Sequence, residues 1–321
     1  MFEVRRQMRR RGVLGINRRN AEVIRQWNPR RLYPLVDDKL RTKRLALASG
    51  MPVPELFGVI ETQHDARDLP SIVADREQFV VKPAHGSGGN GVLVITGRRG
   101  ARFCKVSGAF LDEDELSHHI SNMLSGLYSL AGQRDRVVVE YYVCCDPQLA
   151  KISYQGVPDI RLIVFKGFPL MAMIRLPTHL SDGRANLHQG AVGVGIDLAS
   201  GTTLGGVQDD RRIDEHPDTG RPLAGIAIPA WDEILDMAAR CFEMTRLGFL
   251  GVDIVVDRDL GPLILELNAR PGLAIQIANG HGLHHRLQAV EALDEPELRV
   301  EERLEFCRGA FLGRPEKSEI E

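Results

Sequence analysis

The stretch Phe79–Ile95, FVVKPAHGSGGNGVLVI, constrains this chain more than any other. It joins two strand-like runs through a glycine loop, Gly86–Gly91, of pattern G-x-G-x-x-G. A dinucleotide-binding turn requires a helix after the glycines, whose N-terminus holds the pyrophosphate, yet VLVI reads as a strand. A Walker A loop requires Lys and Ser or Thr after the last glycine, where this chain has Val92. A protein kinase does run its glycine loop between strands, but its lysine follows the loop, and neither HRD nor DFG occurs in the chain. What remains is a strand ending in Lys82, then a cover made of His85, Gly86, Ser87, Gly88, Gly89, Asn90 and Gly91. Its backbone N–H groups can approach phosphates. The alternative is a plain exposed hairpin, which needs neither five small residues nor a lysine ending an apolar strand.

A second constellation lies far along the chain, in GVDIVVDRDLGPLILELNARPG. Glu266 and Asn268 are two apart on a strand and so face the same way, with Asp253 on the neighbouring strand. Two carboxylates and an amide oxygen form a hard donor set of the kind Mg²⁺ requires near a triphosphate. Solvent-facing strand positions are the competing explanation, because a buried carboxylate without a cation is costly. The surrounding VDIVV and LILEL runs look like core and argue against it.

Elsewhere, Asp37 and Asp38 precede KLRTKRLALAS and Gly50 follows it, the pattern of an N-cap, a short helix and a C-terminal glycine. Strands are expected at 79–82, 92–95, 137–143, 160–165, 170–176, 252–256 and 263–268, and a helix over 231–247 from its apolar spacing. Helices and strands alternate irregularly, with sequential strands suited to antiparallel pairing. The fold class is therefore α+β rather than a parallel doubly wound sheet. The expected organisation is a basic N-terminal segment over 1–36, a main domain over 37–280 and a helical tail over 281–321, with the last residues, RPEKSEIE, fraying. A lid-like unit over about 79–142 carries the glycine loop.

Composition excludes some classes. The chain has no apolar run long enough to cross a bilayer and no apolar leader at its N-terminus. Its five cysteines lack C-x-x-C spacing, so neither a disulfide framework nor a zinc site is expected, and the cytoplasm is the expected location. HGLHH at 281–285 lacks accompanying cysteines or an H-E-x-x-H helix and is not expected to hold a metal. Residues 1–31 hold ten arginines against two glutamates, while the other 290 residues carry about −10. That segment is expected to lie against the protein's own acidic body, or else to dock on an acidic protein partner. Nucleic-acid binding as a main role is not expected, because the body is acidic and the arginine block lacks interleaved aromatics.

Taken together in this order, these residues resemble the ATP-grasp superfamily over roughly 32–280, in which two α+β subdomains grip ATP between antiparallel sheets. Lys39 resembles the family's first ATP lysine and Lys82 its second. VVVEYYV resembles the hinge that reads adenine, with Glu140, Tyr141 and Val143. Asp253, Glu266 and Asn268 match the metal triad, which implies Mg²⁺ or Mn²⁺. PDIRLIVF, AMIR and NLHQGAVGV resemble segments of the ribosomal-protein-S6-type α-L-glutamate ligases and of the related sugar-transfer-associated ATP-grasp proteins. Unlike such ligases, which carry a substantial domain before the first lysine, this chain has only a short basic region there, so its N-terminal region reads as truncated.

The resemblance implies a carboxylate–amine ligase. A carboxylate attacks the γ-phosphate of ATP to give an acyl phosphate, and an amine then displaces phosphate to form an amide. Arg161, Arg175 and Arg270 are candidates to hold the substrate carboxylate or acyl-phosphate oxygens, one of them being expected only in a structural ion pair. Asn186 and His188 lie in the N-L-H segment, His188 as a phosphate contact or a base for the amine. Asp159 is a candidate for the ribose hydroxyls. An ATP-grasp kinase acting on an alcohol and a non-catalytic ATP-binding module are the alternatives.

Overall fold

Alternating apolar residues build two sheets whose buried faces carry most of the core. The computed structural model describes residues 2–86, 88–129, 132–293 and 298–311; Ser87 and the terminal RPEKSEIE lie outside the described residues. The smaller sheet has six strands: β1 (Leu56–Ile60), β2 (Phe79–Pro83), β3 (Leu93–Arg99), β4 (Arg102–Lys105), β5 (Phe110–Leu111) and β6 (Val137–Glu140), in the order β1-β6-β2-β3-β4-β5. The larger has seven: β7 (Asp159–Phe165), β8 (Phe168–Leu176), β9 (Val192–Ile196), β10 (Thr203–Gln208), β11 (Arg211–Ile213), β12 (Phe249–Asp257) and β13 (Gly261–Asn268). Their order is β11-β10-β9-β8-β7-β12-β13. Every pairing within the two sheets is antiparallel.

In the smaller sheet, Phe79, Val81, Val137 and Val139 point to one face and pack with Leu116, Ile120 and Met123 of the helix Glu113–Leu124. That helix starts at a capping box, Asp112 with Glu115, which satisfies two otherwise orphaned N–H groups. The opposite face presents Val80, Lys82, Val138 and Glu140, because strand residues two apart point the same way. Against it lies the helix Lys39–Ala48, its start capped by Asp38, which accepts from the N–H groups of Leu40 and Arg41. Leu40, Ala84 and Val138 pack together at that contact.

In the larger sheet, Ile160, Leu162, Ile174, Val252 and Ile254 are fully buried in one core with Ile234, Leu235 and Ala238 of the helix Trp231–Thr245. Several expected boundaries shift, the strand expected over 252–256 running Phe249–Asp257. The hinge run, expected as strand through Val143, leaves β6 at Glu140, after which the Tyr141 N–H bonds to the Glu55 carbonyl. The strand after the glycine loop starts at Leu93 rather than Val92. The helix over 231–247 stops at Thr245, because Arg246 takes a left-handed backbone (φ 58°).

The N-terminal region does not lie loosely on the surface. Leu14, Val23 and Ile24 join the main core. Asn28, 2% exposed, donates to the carbonyls of Phe249 and Ala269 and accepts from the Phe249 N–H. Gln276 similarly bonds both backbone groups of Leu14. These contacts tie residues 14–28 to the loop that leaves β13 just after Asn268. The arginines here have local roles: Arg18 pairs with Glu22, and Arg19 donates to the Pro271 carbonyl at 2.6 Å. Among the described residues, no helix is long and apolar enough to cross a membrane.

Candidate active site

Register decides which charges meet on the open face of the larger sheet. Asp253 on β12 stands directly between Arg161 on β7 and Glu266 on β13, and Asp159 stands opposite Arg175 on β8. Directly opposed residues share a face, as do residues two apart, so Asn268 joins Glu266 there. All six line one cavity of about 770 Å³, a size suited to a nucleotide-like ligand. From the smaller sheet the same cavity is lined by Lys82 and Glu140, with Tyr141 and Val143 from the segment after β6 and Lys39 from the helix beneath.

The arginines are already engaged. Arg161 forks the Asp253 carboxylate, its Nε donating to Oδ1 at 2.6 Å and its Nη2 to Oδ2. Arg175 forks Asp159, and its Nη2 also lies 3.1 Å from Asp253 Oδ2. Burial pushes the Asp159 carboxyl up to about 6, against the pull of Arg175. Burial acts upward on Asp253 too, but Arg161 and Arg175 outweigh it and hold that carboxyl below its usual range. Arg175 stays above the usual arginine value, since Asp159 and Asp253 more than offset its burial. Asp159, expected at the ribose, is therefore held first by Arg175.

The smaller sheet supplies an excess of positive charge. Glu140, read from sequence as part of the adenine hinge, is fully buried between two lysines. Lys82 contacts its Oε1, and Lys43 Nζ lies 2.9 Å from its Oε2. Burial would raise the Glu140 carboxyl, but Lys82 and Lys43 hold it below its usual value. Burial lowers Lys43, with Glu140 opposing, and lowers Lys39, with Glu266 opposing. The Lys39 ammonium donates to the Gly86 carbonyl, which ties the first lysine to the glycine loop.

That loop needs its glycines at particular points. Gly88 and Gly89 take φ of 65° and 77°, the left-handed region that side chains disfavour. Gly91 rests on the Tyr128 ring, where an added Cβ would come within 2.5 Å. Across the cavity mouth, Asn186 Nδ2 donates to the Gly88 carbonyl at 3.3 Å, so a loop of the larger sheet touches the loop of the smaller. Gly86, Gly88, Gly89 and Asn90 line the cavity, whereas Gly91 faces a neighbouring cavity. His85 turns away from the large cavity, its Nδ1 lying 2.7 Å from Asp135 Oδ1.

His188 is exposed at the rim, with Arg184 nearby on the same wall. Arg270 is not brought in: it stands half-exposed over the Tyr33 ring, 4.0 Å from Asp37. Its position follows from the loop turning outward after Asn268. Sequence reading passed over Lys43 and Arg184. Lys43 is four residues after Lys39 in KLRTK, the helical spacing that puts both on one face. Arg184 sits two residues before Asn186.

The donor chemistry fits a hard divalent cation. Glu266 and Asn268 line the cavity and carry oxygen donors of the hard type such a cation prefers. Asp253 already accepts from Arg161, Arg175 and Asn268, three of these contacts on Oδ2, so most of its acceptor capacity is taken before a cation arrives.

Two antiparallel sheets closing on a lysine-rich, carboxylate-bearing cavity under a glycine loop define an ATP-grasp protein. The family model for sugar-transfer-associated ATP-grasp proteins matches residues 18–292, and the chain belongs to that family. The resemblance read from the sequence is borne out at that level. Among curated proteins, the chain is similar to a probable α-L-glutamate ligase of Klebsiella pneumoniae. They are 26% identical over 286 residues, covering 86% of this chain and 73% of the relative. It is also 26% identical over 285 residues to the ribosomal protein bS6–L-glutamate ligase of Salmonella paratyphi B, with the same coverages. Cyanophycin synthetase of Trichormus variabilis is 24% identical over 285 residues, which span 78% of this chain but 28% of that longer protein. Among solved structures, the D-cycloserine synthetase DcsG superposes with a TM-score of 0.45 at 18% identity, covering 81% of this chain and 73% of that one. The ATP-grasp ligase PsnB gives 0.41 at 16%, covering 80% and 58%.

Proposed function

We propose that this protein is an ATP-dependent carboxylate–amine ligase that forms an amide bond through an acyl phosphate. The observation that carries this reading is the opposition across one cavity of Lys39, Lys82 and the glycine loop to Asp253, Glu266 and Asn268. The curated names of its relatives support the reaction class: two of those named above are glutamate ligases. The acid is glutamate or another amino acid, and the acceptor is the amine of a small molecule, peptide or protein.

In this reading Lys39 and Lys82 place point charges on the phosphates, and the Gly86–Gly91 loop covers them and keeps water from the acyl phosphate. Tyr141 and Val143 flank the base. Arg161 and Arg175, held in fixed orientation by Asp253 and Asp159, present guanidinium edges to the acid's carboxylate and the transferring phosphoryl group. Asn186 holds the glycine loop at its Gly88 carbonyl, and His188 at the rim stands where the amine enters and loses a proton. Glu266 and Asn268, with Asp253, would hold Mg²⁺ or Mn²⁺, which neutralises phosphate charge during transfer. The five cysteines of the described chain are free thiols, which suits a reducing cytoplasm. Arginines of the N-terminal segment that face outward would meet an acidic acceptor protein.

Purified protein, ATP and Mg²⁺ incubated with amino acids singly and in pairs tests the reading through ADP and phosphate release. Release that needs both an acid and an amine, and that Glu266→Ala abolishes, is the expected result. Phosphorylated alcohol without amide product would make it a kinase, and ATP binding without turnover would leave a binding module.

A further inference from the structure

Glu140 is one carboxylate held by two ammonium groups, and only one of those has reason to leave. Lys82, next to last in β2, lines the nucleotide cavity; Lys43 lies behind Glu140, donates a hydrogen bond to the Pro54 carbonyl and does not line that cavity. Lys43 and Lys39 sit four apart on one helix face, so Lys39 is the third cation near this carboxylate. When Lys82 turns from Glu140 to a phosphate oxygen, Glu140 is left inside the protein with whatever counter-charge remains. A fully buried carboxylate without a partner is strongly disfavoured.

We propose that Lys43 is a positioning residue that keeps Glu140 paired while Lys82 engages the nucleotide phosphates, so that Lys82 is free to move without stranding a buried anion. This rests on the reading of the cavity as an ATP site, and on nothing about the acid or amine. One carboxylate between two lysines carries a net positive charge, so releasing one lysine leaves a neutral pair. The device explains why a second lysine with no cavity exposure is buried here at the cost its burial imposes.

The test is equilibrium binding of ATP to the full chain across pH 6 to 8, with Lys43→Met, Lys43→Arg, Glu140→Gln and the double variant Lys43→Met/Glu140→Gln. Lys43→Met is expected to weaken ATP binding on the order of 30-fold at pH 8, the scale of truncating one partner of a buried charge pair. Its affinity should also fall as pH rises, because binding then draws a proton onto Glu140, faced only by Lys82 and Lys39. Lys43→Arg keeps the cation and should bind within about threefold of the wild type. The double variant removes both charges and should recover most of the affinity and lose the pH slope. A residue that merely supports packing would give no slope and no recovery through Glu140.

Wild-type affinity in Lys43→Met, or a double variant as weak as the single one, overturns the proposal. Should Lys43→Met fail to fold, the Arg and double variants still decide: both folded and binding ATP without a slope supports it, and either one defective overturns it. A protein that binds ATP as described but forms no amide would sink the ligase reading and leave this one standing.

Discussion

The two walls of the cavity carry charge on opposite plans. On the larger sheet, two arginines and two aspartates interlock by forked hydrogen bonds in strict cross-strand register, close to neutral and mutually fixed. On the smaller sheet and its helix, Lys82 and Lys43 flank the buried Glu140, each as a point charge on a flexible stem. The difference teaches a division of labour. On the proposed reading, the arginine wall holds a shape toward which a reacting group is aimed, and the lysine wall releases charge to a ligand that arrives.

On that contrast, damage to the arginine wall reads mainly as lost stability. Arg175→Met strands the buried Asp159 and leaves Asp253 to Arg161 alone, and should cost about 3–5 kcal/mol, measured by denaturant unfolding. A loss below 1 kcal/mol would mean the lattice is incidental. Damage to the lysine wall should read as lost turnover instead. Lys82→Met should reduce kcat by about 10²–10³, while unfolding free energy falls by only about 1–2 kcal/mol, because Lys43 still pairs Glu140. Equal effects of Lys82→Met and Arg175→Met on stability would erase the distinction.

Fork geometry itself is tested by Arg161→Lys, which keeps the charge but not the paired donors. It should cost about 1–2 kcal/mol in the same unfolding assay. The smallest effect separates the walls by pH. Glu140 has a folded pKa below its ordinary 4.5, so it contributes stability that is present above that pH and lost as pH falls through the folded value. Asp159, raised from 3.8 to about 6, does the reverse: its contribution declines as pH rises across that window. Stability measured from pH 3 to 7 should therefore lose a rising slope in Glu140→Gln and a falling one in Asp159→Asn. Slopes of the same sign would break the comparison.

Much of this was legible in the chain as written. The order of Lys39, Lys82, the glycine loop and the Asp253–Asn268 segment was enough to recognise the ATP-grasp family and its two-sheet architecture, because each piece depends on local spacing. Strand alternation alone put Glu266 and Asn268 on one face. Legibility stopped where partners come from distant segments. Nothing in PDIRLIVF says that Arg161 will be forked by Asp253, since that depends on β7 and β12 aligning in one register. Nothing in VVVEYYV says that Glu140 will be enclosed by Lys82 of β2 and by Lys43 from a helix nearly a hundred residues earlier. Arg270 shows the converse: a residue two positions from Asn268 is carried outside the cavity by the turn of the backbone.

The sequence by itself thus determined the elements, the loop chemistry and the family, because periodicity, glycine placement and lysine spacing act over a few residues at a time. The tertiary structure decided which charges neutralise one another and which stay available. That outcome depends on strand register and burial, where a carboxylate's partner is set by what packs beside it rather than by what precedes it in the chain.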